Sequence, residues 1–117
     1  MQVRLTTTGR RTGNRREVTL YGWPDGDAVV IVGSRGGAAL HPAWVANLRA
    51  DPRSRLKVGH DEWEATAREV TGAERDRLWA AVCESFPLYA TYQRRTTRVI
   101  PLFRVERVDA SARVARR

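Results

Sequence analysis

"EVTLYGWPDGDAVVIVG", residues 17–33, is the stretch on which the fold turns. In its first half Val18, Leu20 and Gly22 alternate with Glu17, Thr19 and Tyr21, the period of two expected of a half-buried strand. "PDGD" at 24–27 is a turn by its own chemistry, since Pro24 fixes φ and Gly26 is free to take positive φ. "AVVIVG" follows as a short, nearly all-apolar strand. The segment therefore predicts an antiparallel hairpin, and the rest of the chain is read outward from it.

Upstream, "VRLTTTG" is β-rich and weakly alternating, and Gly9 ends it. The connection "TTTGRRTGNRRE", residues 6–17, carries four arginines and two glycines between two predicted strands, so a hairpin loop here is basic. Downstream, "SRGGAALHPAWVANLRADP" begins with glycines and becomes helical. Trp44, Val45 and Leu48 keep helical spacing, Pro42 suits the first turn and Pro52 closes the helix. "SRLKVG" and "EWEATAREV" form a second hairpin around the turn "GHD" at 59–61. Thr71 with Glu74 three residues later predicts a capping box, opening a helix whose apolar stripe is Leu78, Trp79, Val82, Cys83 and Phe86. "PLYATYQRRTTR" reads as a loop or short helix, and "VIPLFRVERV" as a last strand in which Pro101 predicts an edge or a bulge.

About six strands arriving mostly as hairpins, with two or three helices, predict an α+β domain: a small, mostly antiparallel barrel with helices at its mouth. This order excludes a Rossmann domain. One domain is expected over 1–108, and the polar, basic segment 109–117 is predicted to be a flexible tail.

The chain has 117 residues, 42% of them hydrophobic, enough to bury a core without disulfides or a structural metal. Cys83 is the only cysteine, which excludes an internal disulfide, and with two histidines makes no zinc cluster; a metal site is not expected. The sequence shows no signal peptide and no membrane-spanning run, and the predicted home is the cytoplasm. A net charge of +8 and a pI near 11.1 predict an anionic partner or cofactor. Because Lys57 is the only lysine, arginine supplies nearly all the excess, and its planar fork suits phosphate and carboxylate. Arginine and alanine also rise together in high-GC genomes, so position carries the functional reading.

Two loops combine glycine, arginine and a hydroxyl: "GRRTGNRRE" at 9–17 and "GSRGGA" at 33–38. Glycine lets peptide N–H groups approach a ligand, and a glycine-rich turn running into a helix is a phosphate-binding design. A solvated hairpin loop is the competing account of the first. Tyr89 and Tyr92, with Phe86 three residues earlier, align rings that could stack on a planar ligand and donate a proton, or simply pack in a core. His41, directly before Pro42, is an acid–base candidate or a shaper of the helix entry, and His60 sits in an exposed turn. No Ser-His-Asp order or acidic dyad is apparent.

"LTTTGRRTGNRREVTLY", "VGSRGGAALHPAWVANLRADP", "VTGAERDRLW" and "FPLYATYQRRTTRVIPLFRVE" together resemble, in order, the deazaflavin-dependent nitroreductase family of actinobacteria, over roughly residues 4–107. The resemblance implies the split β-barrel of the FMN-binding type and a coenzyme F420-dependent oxidoreductase that passes a hydride to a small acceptor: a quinone, an enone or a nitro compound. It assigns Arg10, Arg11, Thr12 and Arg16 to the cofactor's phosphate and oligoglutamate tail, and Thr19 and Tyr21 to its channel. Ser34, Arg35, Gly36 and Gly37 would meet the phosphate side and the deazaflavin ring, with Trp44 and Asn47 completing the pocket. Ser34, Tyr89 and Tyr92 would orient substrate or donate a proton. The family's usual N-terminal helical segment has no counterpart before Met1, which implies an open pocket or a trimmed start. Phe86 and Thr19 stand where nitroimidazole-reducing members often have tyrosine and proline, and turn the expected acceptor from nitro prodrugs toward quinones and activated alkenes.

The alternatives are an FMN-binding reductase of the same fold, an F420-binding protein without catalysis, and a basic nucleic-acid-binding module. The last is disfavoured because the arginines lie beside glycines, without a basic helix or an aromatic platform. A monomer or a homodimer fits the chain equally.

Overall fold

The computed structural model describes residues 1–108. Six strands, β1 (Gln2–Thr8), β2 (Arg15–Asp25), β3 (Ala28–Val32), β4 (Arg53–Val58), β5 (Asp61–Glu69) and β6 (Leu102–Arg107), close into an antiparallel barrel in the order β1-β2-β3-β6-β5-β4. Three helices accompany it: α1 (Ala43–Ala50), α2 (Gly72–Ser85) and α3 (Leu88–Arg94). The expected α+β barrel is the observed one, and all three predicted hairpins pair, Leu5 facing Val18 across β1–β2, Trp23 facing Val30 across β2–β3 and Leu56 facing Trp63 across β4–β5.

β3 explains why its sequence is apolar without alternation. Val29 and Ile31 point into the barrel, opposite Val105 and Phe103 of β6, and join a core with Leu5, Leu56 and Ala65. Val30 and Val32 point outward under α2 and α3, packing with Leu78, Val82, Tyr89 and Ile100. A strand covered on both faces has no reason to alternate. The helix between β3 and β4 plugs the barrel with Trp44, Val45 and Leu48, the Trp44 ring meeting Phe103 edge-on at 5.7 Å. Each such side chain removed from water contributes about 1.5–3 kcal/mol, so α1 is held by burial more than by its eight residues' own helix propensity.

Two local expectations are corrected. Thr71 does begin α2, but its side chain makes no capping bond. Glu74 turns away from the helix start to receive both arms of Arg68, at 2.6 and 2.9 Å, because a bidentate charge-assisted pair outcompetes a single neutral cap. Pro101 marks neither edge nor bulge: the barrel is closed, β6 begins at the next residue, and the buried proline instead offers its carbonyl to Gly33 N–H at 2.9 Å. The predicted tail at 109–117 lies outside the described residues.

Candidate functional site

The connection between β1 and β2 is tied into a compact loop. Gly9 N–H donates to Asn14 O at 2.7 Å, Gly13 N–H to Gly9 O at 2.8 Å, and Asn14 N–H to Thr12 Oγ1 at 3.1 Å. Asn47 of α1 fastens this loop to the barrel plug, its Oδ1 accepting Arg10 N–H at 3.1 Å while its Nδ2 donates to Thr7 Oγ1 at 3.2 Å. Both Asn47 and Thr7 are buried. The arginines of the loop project from a backbone that the fold fixes in place.

The second loop leaves β3 and makes a left-handed turn, with φ of 45° at Arg35, 62° at Gly36 and 82° at Gly37. A side-chain-bearing residue in that region costs roughly 1–2 kcal/mol, and Arg35 bears that strain. Gly37 is required twice over: its φ is positive, and a Cβ there would lie 2.7 Å from the Tyr92 carbonyl of α3. The turn is held from behind by Arg98. Its guanidinium donates to the carbonyls of Ala38 at 2.8 Å, Gly33 at 3.0 Å and Ser34 at 2.7 Å, and lies 2.8 Å from His41 Nδ1.

Between the two loops opens a cleft of about 1150 Å³. Its lining includes Arg10, Arg11, Thr12 and Arg16 from the first side, Thr19 and Tyr21 of β2, Ser34 and Arg35 of the turn, His41, Trp44 and Asn47 at α1, and Tyr89 of α3. Gly36, Gly37 and Tyr92 are not part of the lining. Tyr92 spends its ring on Phe86 and Tyr89, each 6.3 Å away, with the Arg95 guanidinium above it. Gly37 is buried behind the surface that Ser34 and Arg35 present, while Gly36 stands exposed on the turn with open space where a Cβ would be.

The electrostatics of the cleft are one-sided. Among the described residues Arg10, Arg11, Arg15, Arg16 and Arg35 make no ion pair, and the one carboxylate in the lining, Glu17, lies 3.8 Å from Arg4. Tyr89 is buried at the inner wall against Phe86 and Trp23. Burial pushes its phenol above the ordinary value, with the Trp23 indole opposing, so it stays protonated through the neutral range. Burial likewise lowers the His41 imidazole, helped by the nearby Arg98 and Arg49 charges. Cationic rim, hydroxyls and a part-aromatic interior suit a ligand with an anionic extension and a planar apolar body.

Sequence reasoning missed Arg98 and undervalued His41. Arg98 sits in "RRTTR", indistinguishable there from a solvated basic run, and its partners lie 57 to 65 residues away, so no local signal marks it. Asn47 was found, but its amide is taken up with holding the first loop.

Comparison with known proteins places these features in context. The family model described as F420H(2)-dependent quinone reductase matches residues 1–107. An F420H(2)-dependent quinone reductase of Mycobacterium tuberculosis (strain ATCC 25618 / H37Rv) is 41% identical over 101 residues, covering 84% of this chain and 68% of that protein. A solved F420-H2 dependent reductase, FDR-A, superimposes with a TM-score of 0.82 at 39% identity, covering 90% of this chain and 93% of its own. A second structure, described as a domain-swapped dimer, has the same TM-score of 0.82 and 39% identity, covering 79% of its own chain.

Proposed function

The chain belongs to the F420H(2)-dependent quinone reductase family, and from that premise we propose that it passes a hydride from reduced coenzyme F420 to a quinone. The observation that carries the site assignment is the row of arginines without carboxylate partners along a cleft large enough for an elongated ligand. Pockets for drug-sized ligands run to roughly 300–1,000 Å³, and this cleft is larger and cationic at one side, as a cofactor with a phosphate and an oligoglutamate tail requires. The residues present therefore fit the group. In this reading Arg10, Arg11 and Arg16 hold its anionic extension, Ser34 and Arg35 meet its phosphate side, and Trp44, Tyr21 and Thr19 flank the ring channel.

When bound, the cofactor supplies the hydride; the protein supplies position, dryness and a proton-bearing group. The left-handed turn and the Asn47-pinned loop fix both walls of the cleft before a ligand arrives, which lowers the ordering cost of binding. Quinone reduction also needs a hydrogen-bond donor at the oxygen where negative charge accumulates. Tyr89 Oη fits that role: a phenol is protonated at neutral pH, and burial at the inner wall pushes its pKa further up. Tyr92 supports it through ring packing. The domain-swapped relative also supports a homodimer as the working assembly.

Two measurements test the reading. F420 fluorescence titrated with protein at low salt is expected to saturate at one cofactor per chain, and reduced F420 to be reoxidised anaerobically by a naphthoquinone. Tyr89→Phe is expected to lower kcat roughly tenfold to a hundredfold, leaving cofactor Kd within about twofold. A flat titration, or saturation by oligonucleotide in place of F420, sinks the proposal.

A further inference from the structure

An arginine side chain has five N–H donors and no acceptor, and it stays protonated at every accessible pH. That fact fixes the protonation of His41. Arg98 Nη1 lies 2.8 Å from His41 Nδ1, so Nδ1 must offer a lone pair and cannot carry a proton. A neutral imidazole has one N–H, and it is therefore on Nε2, at the opposite edge of a ring that lines the cleft. Among the described residues no carboxylate pairs with Arg98, and three of its other donors are engaged with the carbonyls of Gly33, Ser34 and Ala38.

We propose that Arg98 is a positioning residue that locks His41 as a neutral Nε2–H donor, and that this donor serves an acceptor oxygen of the bound cofactor beside the Ser34–Arg35 turn. The proposal rests on the F420 reading for the identity of the occupant, and on the geometry alone for the tautomer. One guanidinium thus sets two things together, the strained turn and the ring beside it. The charged groups facing His41 are Arg98 from the segment before β6, Arg49 of α1 and Glu69 at the end of β5. Glu69 is held by both arms of Arg49, each at 2.9 Å, and does not reach the imidazole as a hydrogen-bond partner. Burial and the two arginines keep the ring neutral where an ordinary histidine is partly charged.

The test separates the two edges of the ring. His41→Asn keeps an acceptor near Nδ1 for Arg98 and removes the far donor, whereas His41→Gln places an amide N–H near Nε2 and gives up the acceptor. Asparagine is expected to weaken F420 binding about tenfold in a fluorescence titration, and glutamine by less than threefold. A purely structural role predicts the reverse order, and that order overturns the donor role. On the cofactor-free wild type, ¹⁵N histidine spectra at pH 7 are expected to show one imidazole protonated at Nε2 only and absent from the His41→Asn protein. A proton on Nδ1, or a charged ring at that pH, overturns the lock. Should the wild type fail to bind F420, the functional reading above fails, and the nitrogen spectra still decide the tautomer.

Discussion

Arg68 and Arg104, on β5 and β6, share Glu106 and each grips a second carboxylate, Glu74 for the one and Asp25 for the other. Arg10, Arg11 and Arg16, at the mouth of the cleft, hold none among the described residues. The residue type is the same and the circumstances are opposite. On the α2 side arginine serves the fold: the network clamps α2, through Glu74 and Arg77, to the barrel and to the β2–β3 turn at Asp25. With so many carboxylates engaged there and along Arg49, Arg53 and Arg55, the excess of positive charge is left at the cleft. A pI near 11.1 is therefore a poor guide by itself, and the pairing of each arginine is a good one.

This contrast breaks most visibly at the cleft. Arg11→Ala combined with Arg16→Ala is expected to weaken F420 binding by about 2 kcal/mol, roughly 30-fold, taking about 1 kcal/mol for each exposed charge-assisted contact. Its melting temperature should stay within about 2 °C of the wild type in differential scanning calorimetry, because neither side chain has a partner to lose among the described residues. Unchanged affinity would remove the distinction between the two arginine sets.

The converse substitution is expected to be smaller. Arg104→Met removes hydrogen bonds to Asp25 and Glu106, but leaves Asp25 with Arg77 and Glu106 with Arg68. A loss of about 1–2 kcal/mol of stability follows, readable as a lower urea midpoint, with F420 affinity unchanged within twofold.

The smallest expected effect sharpens the comparison through pH. Hydrogen bonds from Arg77 and Arg104 hold the Asp25 carboxyl below its ordinary value, and those from Arg68 and then Arg104 do the same for Glu106. A depressed folded pKa means that the unfolded chain binds the proton more readily, so this stability is fully present above the unfolded value, about 4, and is lost as pH falls through the folded one. Urea midpoints should fall modestly below about pH 6.5, where the unfolded His41 imidazole takes up a proton that the folded one resists, and then drop more steeply toward pH 3 as these carboxyls are protonated. Asp25→Asn should cost about 1 kcal/mol at pH 7 and progressively less toward pH 3, where the native carboxyl is protonated as well. An equal penalty at both pH values would mean that the carboxylate charge does not hold the seam.

Much of the molecule was legible in the linear chain, for reasons visible in particular residues. Val18, Leu20 and Gly22 alternate because β2 has one covered face, and "PDGD" turns because proline and glycine restrict and free the backbone locally. The two loops announced themselves through glycine next to arginine, since a backbone that must take φ of 62° and 82° excludes most other residues. The capping box was misread for the opposite reason. Thr71 and Glu74 have the right spacing, but Arg68, six residues before Glu74 and on another element, decides where the carboxylate goes. Tyr89 and Tyr92 looked equivalent at a separation of three, and only the seating of α3 against the turn gives the first to the cleft and the second to its support.

The sequence by itself determined the strands, the turns between them and the basic, glycine-rich character of two loops, because periodicity and backbone freedom are properties of neighbours along the chain. The tertiary structure decided which arginines are free, which carbonyls Arg98 gathers and which nitrogen of His41 carries the proton. Those depend on groups as much as 79 residues apart, as Arg104 is from Asp25, and such pairings exist only once the barrel has closed.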